Sequence, residues 1–403
     1  MRISTSQIYD QGVTGMNNQL TALNKTQQQI SSGLSILTPS DNPAASASVI
    51  QVGQLESMNT QYQSNRTSAN NTLGTEDSVL QQVSNLIVSA QSLATSAGNA
   101  TLSNSDRANI ATQLQAQLQE MVGLANSKDG EGNYLFAGNQ STTQPFSQNG
   151  TTIQYGGDSG TKATQVSGSQ QIAVNDSGEQ VFMAVPAGNG TFGTAAASTN
   201  GGTGVIDNGS VTDSSLLTLD NYSLNFAVSG GATTYSVLDT TTGTTVSSGN
   251  PYTSGSAISV AGMQVQITGS PAAGDQFTLT SGGTQSLFNT FQNLINVLSA
   301  PVSTAADSAK LNNGINAALG GLNAGLNSVL ATRASVGSRM NELTSLDTVG
   351  TALDTQYQQN LSQLQDLDYT KALSDFSQQQ TALEAAQKSF TQVMGLSLFN
   401  YIQ

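Results

Sequence analysis

Apolar residues at both ends of the chain follow a helical period, whereas the middle third lacks it. Such a repeat lines one face of an α-helix with apolar side chains, and that face needs a partner helix. The positions are Val13, Met16, Leu20, Leu23, Ile30, Leu34 and Leu37 near the start, and Tyr369, Leu373, Phe376, Leu383, Phe390, Val393 and Leu398 near the end. We call these two sets the terminal stripes and predict that each packs against a helix.

Helix signals predict where the first segments begin and end. A first helix is expected over about residues 5–37, with Gly33 as a soft interruption. The linker Pro39-Ser40-Asp41-Asn42-Pro43 then stops the helix and redirects the chain. Asn42 before Pro43 is typical of an N-cap and a first helical position. A second helix is therefore predicted from Pro43 to about Ala97.

Further helices come next, with one short strand signal between them. Ser103 or Asn104 caps a third predicted helix, which ends in Lys128-Asp129-Gly130-Glu131-Gly132. The aromatic run from Asn133 to Gly138 is typical of a strand. Helical periodicity returns at 287–298, pauses at Pro301 and continues for a long stretch. Asp366 or Asp368 is expected to cap a last helix from Tyr369 to about Phe399.

Alternating β-type runs mark residues 147–284, which hold more than half of the glycines and one basic residue, Lys162. Asn-Gly pairs at Asn149, Asn189 and Asn208 predict tight hairpins. The fold class is therefore α+β: a long helical bundle or coiled coil formed by both chain ends, with an inserted β-rich outer domain. We divide the chain into an assembly helix with its linker (1–42), a helical body in two halves (43–146 and 285–365), the β insert (147–284) and a second assembly helix (366–403).

Composition excludes several classes of function. The net charge is −14 with 11 basic residues, so a nucleic-acid partner is not expected. Because the chain has no Cys and no His, thiol chemistry and the commonest general base and metal ligand are missing. We expect no membrane insertion and no cleavable signal peptide, since no apolar run is long enough.

Two acidic or glycine-rich clusters have simpler interpretations than catalysis. Asp366, Asp368 and Asp375 are expected to cap a helix and to be solvated. The run 156–160 lacks the Gly-Lys-Ser/Thr ending of a phosphate loop and is predicted to be a turn. We therefore predict no catalytic, cofactor-binding or metal-binding residue.

The polar face of the first helix favours contacts between copies of the chain. Between Thr5 and Leu37 its only charges are Asp10 and Lys25, and the rest of the outer face is rich in Gln and Asn. A helix that faces water usually carries ion pairs, whereas amides can bond to neighbours on every side. We predict that the terminal stripes form an assembly interface.

Several motifs identify a resemblance. Ile30-Ser31-Ser32-Gly33-Leu34, followed by Pro39-Ser40-Asp41-Asn42-Pro43-Ala44, resembles the amino-terminal signature of the bacterial flagellin superfamily. The prolines, the run Tyr134-Leu135-Phe136-Ala137-Gly138 and the ending Met394-Gly395-Leu396-Ser397-Leu398-Phe399 are more similar to its hook-filament junction branch than to filament flagellins. The resemblance covers about residues 1–146 and 285–403, and we identify no motif of a known family in the insert.

The resemblance implies an extracellular subunit of the flagellum that is exported without cleavage. Its implied partners are other copies of itself in a ring, a hook-side junction protein, filament flagellin and a cytoplasmic export chaperone on the carboxyl-terminal helix. The terminal stripes are expected to be exposed and disordered before assembly, and to fold as they are buried. A filament flagellin, an adhesin acting through the insert and an enzyme displayed by the insert are the alternatives.

Overall fold

A computed structural model of the protein describes residues 5–395, and this part of the chain combines six α-helices with an inserted β-rich region. The helices are α1 (Thr5–Ser32), α2 (Pro43–Ala97), α3 (Asn104–Ala125), α4 (Leu287–Ser299), α5 (Ala305–Gln365) and α6 (Tyr369–Gly395). The terminal helices pack on each other, and the β region lies between α3 and α4 in the chain, so the predicted α+β class is confirmed.

Fifteen strands and one π-helical turn, Glu179–Met183, make up the inserted region of the described chain. The strands are β1 (Phe146–Asn149), β2 (Thr152–Tyr155), β3 (Ala163–Ser167), β4 (Gln170–Ala173), β5 (Val185–Pro186), β6 (Phe192–Ala196), β7 (Val205–Ile206), β8 (Ser210–Val211), β9 (Tyr222–Ser229), β10 (Ala232–Asp239), β11 (Thr245–Pro251), β12 (Ala257–Val260), β13 (Met263–Thr268), β14 (Gln276–Ser281) and β15 (Thr284–Gln285). The predicted β insert is confirmed, although the π-helical turn was not predicted.

Side-chain caps explain why the helices begin where they do. The Oδ1 atom of Asn42 accepts a hydrogen bond from the N–H of Ala45, 3.1 Å away, which caps α2 as predicted. Ser103 caps α3 in a reciprocal capping box with Asp106. Asp368 accepts bonds from two backbone N–H groups of the first turn of α6. Each cap satisfies amide donors that the first helical turn leaves without partners.

The prediction that the first helix continues to Leu37 is wrong. Gly33 has a φ of +75° and its N–H donates to the carbonyl of Gln29, so a left-handed residue ends α1 just after Ser32. Leu34 then forms a β-bridge with Asp366. Leu34 and Leu37 are half-buried in the segment that leaves the helix and do not continue its stripe.

Two further boundary predictions are wrong in the segment after α3. That helix ends at Ala125 and not at residues 128–132, because the side chain of Asn126 exchanges hydrogen bonds with the backbone of Phe146 instead of continuing the helix. The run from Asn133 to Gly138 is not a strand; it is a series of turns, with only an isolated bridge between Lys128 and Tyr134. Its apolar residues are nevertheless buried.

The described chain forms two compact units. Within the described residues, the terminal unit comprises 5–64 and 346–395, and the middle unit comprises 65–345. Each unit thus contains segments that are far apart in the sequence. The five-segment division of the sequence analysis remains a prediction.

A β-sandwich core lies inside the middle unit. One sheet has the strand order β11-β10-β9-β14-β6, and a second has the order β12-β13-β7, with β8 also paired to β13. Their buried side chains form one cluster, which includes Phe192, Leu224, Phe277 and Leu279 from the first sheet and Val265 from the second. Burial of these alternating residues explains the period-two pattern of the strands.

A second core in the middle unit is aromatic. The rings of Phe136, Phe146, Phe182 and Phe288 lie 5.1 to 5.6 Å apart in edge and stacked contacts. Phe136 comes from the turns after α3, Phe146 begins β1, Phe182 lies in the π-helical turn and Phe288 lies in the first turn of α4. These rings therefore anchor the base of the insert to the helices.

Only one of the three predicted Asn-Gly hairpins is a hairpin. Asn149 pairs with Thr152 at the tip of the antiparallel strands β1 and β2. Asn189 holds a turn between β5 and β6, which pair with other strands. Asn208 lies between β7 and β8, and both pair with β13. The Asn-Gly chemistry favours a turn, but long-range pairing decides whether that turn becomes a hairpin.

Candidate functional site

Most residues of the terminal stripes lie on α1 and α6, which form an antiparallel pair. The rings of Tyr9 and Phe390 lie 5.5 Å apart, centre to centre, at one end of this pair. The hydroxyl of Thr26 donates to Oε1 of Gln379 over 3.0 Å further along. At the other end, the N–H of Leu367 donates to the carbonyl of Gly33 over 2.9 Å. The two chain ends therefore share one interface within the single chain.

This pairing corrects part of the sequence-based expectation. The stripes were expected to be exposed in a single chain, yet many of their side chains are half-buried against each other. The half-buried members on the helices are Val13, Met16, Leu23, Ile30, Phe376, Leu383 and Phe390. Leu20, Tyr369, Leu373 and Val393 remain exposed, with 45 to 55% of each side chain accessible. Leu398 lies outside the described residues.

The terminal unit has no apolar core of its own among its described residues. Its buried positions there are Thr26, Asn59, Gly350 and Ala372, none of which is a large apolar residue. Burying large apolar side chains is the main stabilising contribution in most folded domains. The described part of the terminal unit is therefore held together by contacts between half-buried side chains and by a few hydrogen bonds.

Large apolar side chains on α2 and α5 extend the exposed surface of this unit, and sequence reasoning missed them. They are Ile50, Leu55, Met58, Val349 and Leu353, each at least 41% exposed, with Ile50 at 70%. Where exposed apolar residues form a large contiguous patch, that patch usually marks an interaction surface. No clear sequence signal marked them, because the stripe pattern is weak there and acidic residues lie near Leu55, Val349 and Leu353.

One buried polar contact joins α2 to α5 inside the terminal unit. The side-chain amide of Asn59 donates to the carbonyl of Gly350 over 2.8 Å, and both residues are buried. Gly350 has no side chain, which lets the amide reach a helix backbone directly. This contact fixes the relative register of the two helices.

The predicted linker forms a tight turn organised by Asp41. One carboxylate oxygen lies 2.6 Å from the ammonium of Lys25, and the other accepts bonds from the N–H groups of Leu37 and Thr38. The hydrogen bond from Lys25, together with the backbone donors, lowers the pKa of Asp41 from 3.8 to about 2. Pro39 is exposed and Pro43 opens α2. The residues predicted for this turn thus act through capping and an ion pair.

A buried charged cluster in the middle unit was not predicted. The carboxylate of Glu76, on α2, accepts a hydrogen bond from the N–H of Asp176 over 3.1 Å. Asp176 is also ion-paired with Arg339 of α5, which donates to the carbonyl of Ala173 as well. Burial, and secondarily the negative charge of Asp176, raises the pKa of Glu76 well above its usual value. The cluster ties the insert to α2 and α5.

The acidic residues near α6 show no catalytic arrangement. Asp368 caps the helix and Asp366 takes part in the backbone bridge with Leu34. Within residues 5–395, no group of three or more acidic side chains is placed to hold a metal ion.

Asp158, in the glycine-rich run 156–160, accepts bonds from the N–H groups of Asn139 and Gly160, as expected for a turn. None of the described helices is long and apolar enough to cross a membrane.

Comparison with known proteins identifies the class of protein to which this architecture belongs. Residues 3–141 match the model of the bacterial flagellin N-terminal helical region. The pairing of the terminal helices and the β-rich region inserted between them in the chain, together with this match, define a flagellin-like structural protein of the bacterial flagellum.

The full-length relatives define the family more narrowly. The flagellar hook-associated protein 3 of Escherichia coli and that of Salmonella typhimurium are each 29% identical over 399 residues, which is 99% of this chain and of each relative. The crystal structure of flagellar hook-associated protein 3 from Legionella pneumophila is 31% identical with a TM-score of 0.74, covering 78% of this chain and 98% of that one. FlgL from Xanthomonas campestris is 30% identical with a TM-score of 0.69, covering 74% and 98%. The chain belongs to the flagellar hook-associated protein 3 family.

Membership of this family sets the kind of function. The family is structural and not enzymatic, as the sequence predicted from the missing Cys and His. The chain is therefore a subunit of the extracellular flagellum.

Proposed function

We propose that this chain joins the hook to the filament, and that the exposed apolar surface of its terminal unit is the surface through which it assembles. The observation that carries the proposal is the contrast within that unit: its described residues bury no large apolar side chain but expose many. Burial against neighbouring subunits would contribute about 25 cal/mol for each Å² of apolar area. Assembly would thus supply the apolar core that the described part of the terminal unit lacks.

Coupled folding and assembly is the mechanism we infer. Two paired helices with half-buried contacts are marginally stable in water, since isolated helices gain little from local interactions. Neighbouring copies would order α1 and α6 further and bury Leu20, Tyr369, Leu373 and Val393. Contacts of this head-to-tail kind build rings and tubes and not closed dimers.

Four partners belong to the proposal. They are other copies of this chain in a ring, a hook-side junction protein on one side, filament flagellin on the other, and a cytoplasmic export chaperone that covers α6 before export. The exposed apolar residues of α6 fit a chaperone that binds an amphipathic helix. Export through the flagellar apparatus without cleavage is part of the same proposal.

Two substitutions of the same type test the assembly surface. We expect Leu373→Asp, in the terminal unit, to leave the middle unit folded but to abolish incorporation of the chain into flagella. Leu219→Asp is the matched control, because Leu219 is 89% exposed but lies in the insert. Normal incorporation of the Leu373 variant, or equal loss in both variants, would contradict the proposal.

The position of the subunit separates a junction protein from a filament flagellin. After flagella are sheared, labelled chain should be found at the hook end only. A label along the whole filament, or long filaments grown from the purified chain alone, would favour the filament flagellin. Deleting residues 369–403 should abolish incorporation in either case, and a truncated chain that still joins flagella would contradict the assembly role of α6.

A further inference from the structure

The chain contains five Asn-Gly pairs, and one of them differs from the rest in its hydrogen bonding. The pairs are Asn149-Gly150, Asn189-Gly190, Asn200-Gly201, Asn208-Gly209 and Asn313-Gly314. An asparagine before glycine can react with its own backbone, because the glycine nitrogen is not shielded by a side chain. The reaction requires a side-chain amide that is free to rotate and a following N–H that is not held in a hydrogen bond.

Two of the pairs are held at both reacting groups inside the middle unit. The amide of Asn200 exchanges two hydrogen bonds of 2.9 Å with the backbone of Gln276, and the N–H of Gly201 donates to the carboxylate of Asp275. The amide of Asn313 is buried and bonded to the backbone of strand β7 and the residue before it, and Gly314 lies inside α5. Neither amide can turn toward its neighbour without breaking bonds.

The pairs at Asn189 and Asn208 are protected at the attacking nitrogen. Oδ1 of Asn189 accepts bonds from two backbone N–H groups, and the N–H of Gly190 donates to the carbonyl of Ala187 over 3.1 Å. The N–H of Gly209 donates to the carboxylate of Asp207 over 3.1 Å. A nitrogen whose proton is held in this way must lose that bond before it can attack.

Asn149 meets both requirements. Asn149 and Gly150 are exposed at the tip of the β1–β2 hairpin, and Gly150 has a φ of +63° with open space around its Cα. Among residues 5–395, neither the side-chain amide of Asn149 nor the N–H of Gly150 has a hydrogen-bond partner. We propose that Asn149 is the deamidation site of this protein, and that the other four Asn-Gly pairs are protected by their hydrogen bonds.

The reaction needs only water as a co-reactant. The nitrogen of Gly150 forms a bond to Cγ of Asn149, and the bond from Cγ to the side-chain nitrogen breaks. The departing nitrogen takes up the proton of the Gly150 amide and leaves as ammonia, which closes a succinimide ring. Water then opens the ring, giving aspartate when it attacks Cγ and isoaspartate when it attacks the backbone carbonyl. No electron is gained or lost overall.

The fold confines the change to the hairpin tip. At the base of the hairpin, Phe146 pairs with Tyr155, and the ring of Phe146 is completely buried in the aromatic core. Conversion of Asn149 adds one negative charge, and the isoaspartate product also lengthens the backbone by one methylene at the Asn149–Thr152 pair. The middle unit should therefore stay folded while its surface charge changes with age.

Ageing the folded full-length chain in heavy-oxygen water, followed by peptide mapping with mass spectrometry, tests the proposal. We expect the peptide that contains Asn149 to show the mass increase for conversion of the amide to an acid with one heavy oxygen. This conversion should be roughly tenfold or more faster than at each of the other four asparagines, because their hydrogen bonds must break first. In urea-unfolded chain all five should react at similar rates. Asn149→Gln is the control, since its ring closure is slower, and it should abolish the fast reaction.

Two results would overturn the proposal. One is equal rates at the five asparagines in the folded chain, which would mean that the hydrogen bonds give no protection. The other is a faster uptake of heavy oxygen at one of the other four asparagines than at Asn149, which would mean that exposure and missing hydrogen bonds do not select the reacting pair.

Discussion

Gly12 of α1 lies directly beneath the ring of Phe390 of α6: a Cβ atom at Gly12 would come within 2.7 Å of Cδ2 of that ring. A glycine in a helix costs about 1 kcal/mol relative to alanine. At this position, the absence of a side chain lets the aromatic ring reach the helix backbone. The contact explains why the terminal stripes can pair closely at their far end.

Alanine at two neighbouring glycines should have opposite effects. Gly15→Ala has open space around its Cβ and should stabilise α1 by up to about 1 kcal/mol. Gly12→Ala should push the Phe390 ring away and loosen the pair of α1 and α6. Amide hydrogen exchange of residues 9–16 measures both effects. Equal protection in the two variants would show that the ring does not need the space at Gly12.

Replacing Glu76 by Gln should stabilise the middle unit at neutral pH. Burial raises the pKa of Glu76 above 4.5, so the unfolded chain ionises this carboxyl more readily than the folded chain does. Stability is therefore lost as pH rises above 4.5, and removing the ionisable group should raise the free energy of unfolding at neutral pH. The gain should disappear in acid.

Urea unfolding at several pH values measures the effect, and Glu76→Ala provides the control. The alanine variant removes the acceptor for the Asp176 N–H as well as the charge, so it should be destabilised at every pH. If Glu76→Gln were less stable than the natural chain at neutral pH and equal to it in acid, the raised pKa would be wrong.

Acid should weaken the linker turn through Asp41. Its pKa is lowered from 3.8 to about 2, so its contribution to stability is complete above 3.8 and is lost as pH falls toward 2. Lys25→Met removes the largest cause of the lowering but leaves the bonds from Leu37 and Thr38. We expect an NMR titration to show that the pKa of Asp41 rises in this variant and still stays below 3.8. An unchanged value would exclude the ion pair as the main cause.

Phe182 should be critical for the stability of the middle unit. It is fully buried and its ring contacts Phe136, Phe146 and Phe288. Phe182→Ala should cost about 3 to 5 kcal/mol in the free energy of unfolding, because it leaves a cavity among rings. Leu219→Ala, at an exposed position, should change it by less than about 0.5 kcal/mol. Thermal unfolding of the two variants compares them directly.

The helix starts could be predicted from sequence because their causes are local. Asn42 before Pro43 predicted the start of α2, since an N-cap acts within three residues. The end of α1 could not be predicted with the same security, because a glycine such as Gly33 either continues or ends a helix according to the contacts of the residues after it. Here the bridge from Leu34 to a residue near the other end of the chain decides the outcome.

The interactions that were missed depend on long-range contacts. Glu76 has the local sequence of an ordinary exposed helical acid, and only its approach to Asp176 and Arg339 makes it a buried member of a charged cluster. The strand order of the insert depends on pairings such as β14 with β9, which no local pattern encodes. The helices that carry most of the terminal stripes could be predicted from their apolar period, but the sequence alone could not show that α1 and α6 pack on each other within one chain.

The bridge between Leu34 and Asp366 also has a consequence for the order of folding. The bond beside it, from Ser35 to the carbonyl of Gln365, joins residues that are 330 positions apart. Closing so long a loop costs conformational entropy until the intervening chain is compact. We therefore expect the middle unit to fold first and to bring the two ends near each other. By the same argument, α1 and α6 should be the last elements to pair during folding and the first to separate when the chain is stressed.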